Sequence, residues 1–210
     1  MFWDRVAGVY DLFVNIYNRK VHEELKGTVA AEISEEDIVL ECACGTGMLT
    51  EVIAPRCRQI TATDFSEKML RQTRKKCRMY SNVSVRHADI LNLEDANHSY
   101  DVVVAANVIH LLDEPLKALG EIDRVCRPGG KIIIPTYMNK EKTGEASQFS
   151  KTVGKAGADF KQAFTLTTYK QFFANAGYED VRYYMIHGRV PCAVAVITKR
   201  SEGGNKDGSR

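Results

Sequence analysis

The sequence predicts an α/β fold: a three-layer αβα sandwich on a seven-stranded, mostly parallel sheet with one antiparallel strand, preceded by N-terminal helices. Three observations carry this. From about Asp37 onward, short apolar runs alternate with amphipathic stretches of helical period, the pattern of parallel strands joined by crossover helices. The last two apolar runs, Tyr178 to Ile186 and Cys192 to Lys199, are joined only by His187 to Pro191, too short for a crossover, so they must be antiparallel. Finally, glycines or carboxylates stand just after each of the first three strands, at Gly45 and Gly47, at Asp64 and at Asp89.

The elements follow in order. Val6, Val9, Tyr10, Phe13, Ile16 and Tyr17 recur at helical spacing, and a second helix is expected from about Val21 to Ile33, so that residues 1–34 form a helical cover. Strand one, Asp37 to Glu41, has Ile38, Val39 and Leu40 apolar in succession, as a strand buried on both faces requires. After the Gly45-Thr46-Gly47 turn comes a helix stopped by Pro55. Strand two, Gln59 to Thr63, ends at Asp64, and Ser66 can cap a helix whose inner face is Met69, Leu70, Thr73 and Cys77.

Strand three is Val83 to His87. Strand four, Tyr100 to Ala106, carries Val102, Val103 and Val104. Pro115 suits the first turn of a helix with an inner stripe of Leu116, Leu119, Ile122 and Val125. Pro128-Gly129-Gly130 turns into strand five, Lys131 to Thr136. Residues 138–164, rich in Lys, Gly and Ser at their centre, read as an insertion. Thr168 with Gln171 fits a capping box for a helix ending near Gly177. Residues 1–200 are expected to form one domain without repeats, and 201–210 a flexible tail.

Composition narrows the function. The 210 residues are 44% hydrophobic and 27% charged, and the net charge of +2 from 29 basic and 27 acidic side chains gives no reason to expect a nucleic-acid partner. The run Arg71, Arg74, Lys75, Lys76, Arg78 reads as a solvated helix face. No apolar run reaches the roughly 18 residues of a membrane span, and Asp4-Arg5 stands where a signal peptide needs apolar residues, so a cytoplasmic protein is expected. The six cysteines are expected to be reduced thiols. Cys42-Ala43-Cys44 has no second Cys pair or spaced His pair, so no metal site is expected.

In sheets of this kind, ligands bind beyond the carboxyl ends of the strands, where the strand order reverses. A glycine turn lets backbone approach a ligand, a carboxylate after strand two can accept both hydroxyls of a ribose, and one after strand three can accept from an adenine amino group. Together these features resemble the Rossmann-like, seven-stranded class I methyltransferases that use S-adenosylmethionine. Val39 to Gly47 looks like that family's first motif, Asp64-Phe65-Ser66 with Met69-Leu70 its second, and His87-Ala88-Asp89-Ile90 its third. Tyr100 to Val103 with Asn107 to His110 is similar to its fourth-strand motif, and Arg127 to Lys131 to its turn before strand five. The start, Phe2 to Asp11, further resembles the methyltransferase type 11 subfamily acting on quinone precursors, lipids and other small molecules.

The resemblance implies S-adenosylmethionine as co-substrate and a small-molecule acceptor. It implies that Glu41, Cys44, Gly45 and Gly47 surround the methionine part of the donor, that Asp64 takes the ribose with Phe65 beside it, and that Asp89 and Ile90 border the adenine. Asn107 would lie near the methionine end, with Tyr10 covering it. Two positions depart from the pattern: Glu41 and Ala43 stand where the family usually has Asp and Gly, and the Ala43 methyl group would come close to the donor. His110 follows strand four and faces the expected methyl-transfer region, where a neutral imidazole could take a proton from the acceptor; the remaining histidines read as structural or exposed.

Two other functions stay open. A nicotinamide-dependent oxidoreductase would share the glycine loop and the ribose acid, but its fingerprint wants a third glycine where Thr50 stands. A methyltransferase-like fold could also serve as a catalytically inactive binding subunit.

Overall fold

The computed structural model describes residues 18–139 and 161–200; the expected first helix with Tyr10, the body of the insertion and the C-terminal tail lie outside the described residues. Residues 18–30 form a helix, α1, whose Val21, Leu25 and Val29 make a fully buried stripe. It stops short of the expected Ile33 because Asp37 closes a tight turn, its carboxylate accepting from the Ser34 N–H at 2.8 Å and its own N–H donating to the Ser34 carbonyl at 3.0 Å.

The strands are β1 (Ile38–Cys42), β2 (Gln59–Asp64), β3 (Val83–His87), β4 (Tyr100–Ala105), β5 (Cys126–Tyr137), β6 (Val181–Ile186) and β7 (Cys192–Thr198). They lie in the order β3-β2-β1-β4-β5-β7-β6. The β1 to β5 pairings are parallel, while β7 runs antiparallel to both β5 and β6. The expected fold class is therefore the observed one. The helices after α1 are α2 (Thr50–Ile53), continued by a 3-10 turn over Ala54–Arg56, then α3 (Glu67–Lys76), α4 (Pro115–Val125) and α5 (Leu166–Asn175).

Side chains alternate strictly between two cores, as a pleated sheet requires. Val39, Val102, Val104, Ile133, Val194 and Val196 face α1 and α2. Leu40, Val103, Ile132, Ile134, Ala195 and Ile197 face α4 and α5, where Leu119, Ile122, Tyr169 and Phe173 cover them. Glu41 is two residues from Val39, so alternation turns it toward the α1–α2 layer.

Three expectations need correction. Leu116 is 59% exposed: Pro115 is itself buried and starts the inner stripe with Ala118, Leu119, Ile122 and Val125, which rotates Leu116 to the rim. The capping box is Thr165 with Thr168, one turn earlier than Thr168 with Gln171; each threonine side chain accepts from the other's backbone N–H. Pro128-Gly129-Gly130 is a bulge inside a longer β5 rather than a turn before it, because the register jumps from Tyr100↔Cys126 to Val102↔Lys131. A side chain at Gly130 would meet the Asp101 carbonyl at 2.7 Å, so the bulge needs glycine there.

Between β3 and β4 there is no helix; a polar clamp takes its place. Arg124 donates to the Leu93 and Asp95 carbonyls at 2.8 and 2.7 Å, while Asp95 accepts from Arg86 and from the Tyr100 hydroxyl at 2.6 Å. At the end of α1, Glu32 gathers Arg182 at 2.8 Å, Lys131 at 3.3 Å and the Tyr184 hydroxyl at 3.2 Å, tying the helix to β5 and β6.

Candidate functional site

The chain leaves β1 toward β2 and β3, then returns to place β4 on the other side of β1. The strand order thus reverses between β1 and β4, and ligands of such sheets bind beyond the carboxyl ends of the strands at that point. Of the expected site residues, Glu41 lies within β1 and Asp64 ends β2, Cys44, Gly45 and Gly47 follow β1, Asp89 and Ile90 follow β3, and Asn107 and His110 follow β4. Cys42 pairs with Ala105 and with Thr63, so the loop after β1, Asp64 after β2 and Asn107 after β4 stand on one edge of the sheet.

The glycine loop is held from three sides. Asp64 Oδ2 accepts from the Gly45 N–H at 2.9 Å, and the Cys44 N–H donates to the Thr63 carbonyl at 2.9 Å. Thr73, reaching from α3, donates its hydroxyl to the Gly45 carbonyl at 2.8 Å. Gly45 and Gly47 have φ of +57° and +81°, the left-handed region, and a side chain on Gly47 would meet Thr73 Cγ2 at 3.0 Å. Sequence reasoning placed Thr73 only on an inner face. A hydroxyl among Met69, Leu70 and Cys77 was the available sign that it bonds something.

Asp64 is half-buried, and its other oxygen accepts from the Ser66 N–H at 2.8 Å. Burial pushes its carboxyl up from the ordinary value, against the Ser66 and Gly45 N–H bonds, which favour the carboxylate. Phe65, 49% exposed, leans on the His87 ring with centroids 5.0 Å apart. Asp89 accepts from the Leu91 N–H at 2.9 Å through its side chain, and Ile90 is buried next to it.

Glu41 sits deeper than expected. It is 2% exposed, and Thr50 at the start of α2 donates its hydroxyl to Oε2 at 2.5 Å. Burial pushes this carboxyl up to about 8; the Thr50 bond opposes that, and the Asp64 charge adds to it. Ala43, with φ of +53°, adopts the left-handed conformation that glycine takes freely, at a cost of roughly 1–2 kcal/mol for an L-residue. Its exposure is partial, and it packs against the core on the α4–α5 side.

Asn107 is also left-handed, with φ of +52°, and its N–H donates to the Pro135 carbonyl at 2.8 Å, latching β4 to β5. Its side-chain oxygen is buried without a hydrogen-bond partner among the described residues. Such an acceptor is costly to leave unmade, and a ligand N–H or O–H could supply the missing bond. His110 lies in the 3-10 turn Ile109–Leu111 and is 5% exposed; burial pulls its imidazole down to about 4, so it is neutral at pH 7 and holds a proton weakly. Its carbonyl accepts from the Lys161 and Gln162 N–H groups at 3.0 and 3.1 Å, which pins the end of the insertion onto this turn.

Tyr10 lies outside the described residues. His22, expected to be structural or exposed, is fully buried and shares a 2.7 Å hydrogen bond with the Tyr137 hydroxyl. All six cysteines are buried free thiols, and their pKa values are raised by burial wherever a shift is resolved. Among the described residues no His, Cys, Asp or Glu group could hold a metal, and no helix is long and apolar enough to cross a membrane.

Residues 40–134 match the model of a methyltransferase domain family. The chain is 31% identical over 135 residues to demethylmenaquinone methyltransferase of Clavibacter sepedonicus, covering 63% of this chain and 55% of that protein. It is 31% identical over 127 residues to phosphatidylethanolamine N-methyltransferase of Cereibacter sphaeroides, covering 59% of this chain and 62% of that protein. The chain therefore spans little more than half the length of these curated relatives. A crystal structure of a S-adenosylmethionine-dependent methyltransferase from Thermotoga maritima superposes with a TM-score of 0.74 at 18% identity, covering 95% of this chain and 99% of that one; it shares the fold.

Proposed function

We propose, from the match of residues 40–134 to a methyltransferase domain family, that the chain transfers the methyl group of S-adenosylmethionine to a small-molecule acceptor. The observation that carries this is Asp64 Oδ2 accepting from the Gly45 N–H, which brings the ribose-type acid and the glycine loop onto one edge. Asp64 would take the ribose hydroxyls with its remaining lone pairs. Phe65, Asp89 and Ile90 would border the adenine, while Cys44, Gly45 and Gly47 would line the methionine part with Glu41 beneath. The buried Asn107 oxygen would accept from the donor's ammonium or from the acceptor.

Methyl transfer from a sulfonium is an in-line displacement in which the carbon–sulfur pair of electrons stays on sulfur, so the protein mainly aligns two molecules. The acceptor would enter beside β4 and β5, where the end of the insertion is pinned over the His110 turn. A neutral His110 fits that place as a wall. As a general base it is poorly matched, because an effective base has a pKa near the working pH. The relatives' names support quinone precursors and phospholipid amines as the first acceptors to try.

Calorimetric titration with S-adenosylmethionine, S-adenosylhomocysteine and a nicotinamide dinucleotide tests the donor. Binding of the first two without added metal is expected; heat from the nicotinamide compound alone would overturn the reading. The strained Ala43 favours one other reading, a binding subunit without turnover. A protein that binds the donor but methylates no thiol, phenol, amine or quinone precursor in a labelled-donor panel would be that subunit.

A further inference from the structure

Glu41 is an acid in the interior with no ion pair among the described residues, directly beneath the loop assigned to the donor. Strand alternation puts it there. In the sheet it sits between Ala62 of β2 and Val104 of β4, which carry no charge. α1 presents Val21, Leu25 and Val29 to the same layer, and α2 presents the Thr50 hydroxyl. The titratable groups that act on it are Asp64 at the end of β2, Lys76 on α3, Cys77 just after α3, Cys44 in the loop, and its neighbour Cys42 on β1. The Asp64 carboxylate is stabilised by two backbone N–H bonds, whereas Glu41 has only a hydroxyl. Where two acids share a site so unequally, the better-solvated one ionises and the other keeps its proton.

Resting on the donor assignment above, we propose that Glu41 is protonated in the free protein and releases that proton when the cationic donor binds, so that the loop discriminates the sulfonium donor from its neutral thioether product. The step is a simple ionisation: the carboxyl O–H proton passes to buffer, the carboxylate remains, and no bond of the ligand changes. The positive ligand replaces the proton as the charge that the buried carboxylate faces. After methyl transfer the sulfonium charge is gone, the carboxylate takes a proton back, and product binding weakens relative to donor. An aspartate at this position would reach less far into the α1–α2 layer and would not meet Thr50 in the same way.

The test is calorimetry of the whole chain with S-adenosylmethionine and S-adenosylhomocysteine at pH 7, in two buffers of different ionisation enthalpy. With the Glu41 carboxyl at about 8, roughly nine-tenths of it is protonated at pH 7, so donor binding should release up to about 0.9 proton and product binding clearly less. Between pH 6 and 8, donor affinity should tighten by up to about tenfold per pH unit and product affinity should change less. Glu41→Gln keeps an acceptor for Thr50 and should abolish both the release and the pH dependence. Donor binding with no proton release overturns the proposal while leaving the function intact. Release that persists in Glu41→Gln places the proton on another group and also overturns it. A chain that binds neither ligand removes the function and this inference together.

Discussion

Replacing Asp64 separates the two tasks this carboxylate performs. In the structure it accepts from the Gly45 N–H at 2.9 Å and from the Ser66 N–H at 2.8 Å. Hydrogen bonds to a charged group contribute roughly 1.5–3 kcal/mol each where water is excluded. Asp64 is half-buried, so water can partly replace both bonds, and we expect Asp64→Ala to lose about 2–3 kcal/mol of stability rather than the full sum. Donor affinity should fall by about ten- to a few hundred-fold, since each 1.4 kcal/mol is a factor of ten. Asp64→Asn keeps one oxygen acceptor and should recover about half of the stability loss. Urea unfolding measures the first quantity, and titration with S-adenosylhomocysteine, after circular dichroism shows a folded chain, measures the second. A folded Asp64→Ala protein with wild-type affinity would mean the ribose is held elsewhere. Unchanged stability would mean the glycine loop does not depend on this carboxylate.

Gly47→Ala should cost about 2–4 kcal/mol, combining a left-handed φ of +81° with a contact at 3.0 Å to Thr73 Cγ2, and Thr73→Ser in the same chain should recover part of it on thermal melts. His110 has a folded pKa near 4, below its unfolded value of about 6.5; its contribution to stability is therefore present above pH 6.5 and lost as pH falls toward 4. His110→Gln should flatten that acid limb in urea titrations, and should slow transfer to an acceptor that needs deprotonation by much less than the about 10²–10⁴-fold expected for loss of a general base. Glu32→Ala strips the shared partner from Lys131 and Arg182, which are 35% and 49% exposed, so the loss should be about 1–2 kcal/mol near neutral pH and should shrink as pH falls from the unfolded value of 4.5 through the lowered folded one.

Strand periodicity and turn chemistry are local, so the sequence by itself determined the seven strands, the antiparallel closing hairpin, and the glycines and acids after the strands. Ser66 as a cap followed in the same way, because a cap depends on residues three apart. The errors arose where neighbours along the chain do not decide. Pro115 displaced Leu116 from the inner stripe, Thr165 pre-empted Thr168 as the cap, and the Gly129-Gly130 turn was absorbed into β5 by its pairing with β4 and β7. The site divided along the same line. Which residues end or follow the strands could be read from spacing; what state they are in could not. From the sequence Glu41 reads as one of the residues around the donor's methionine part, and only the packing of α2 against β1 buries it under Thr50. His110 looked like a base, and only the surrounding core drew its pKa down. Charge states depend on desolvation and on partners distant in sequence, such as Asp64 for Glu41, and those exist only once the chain has folded.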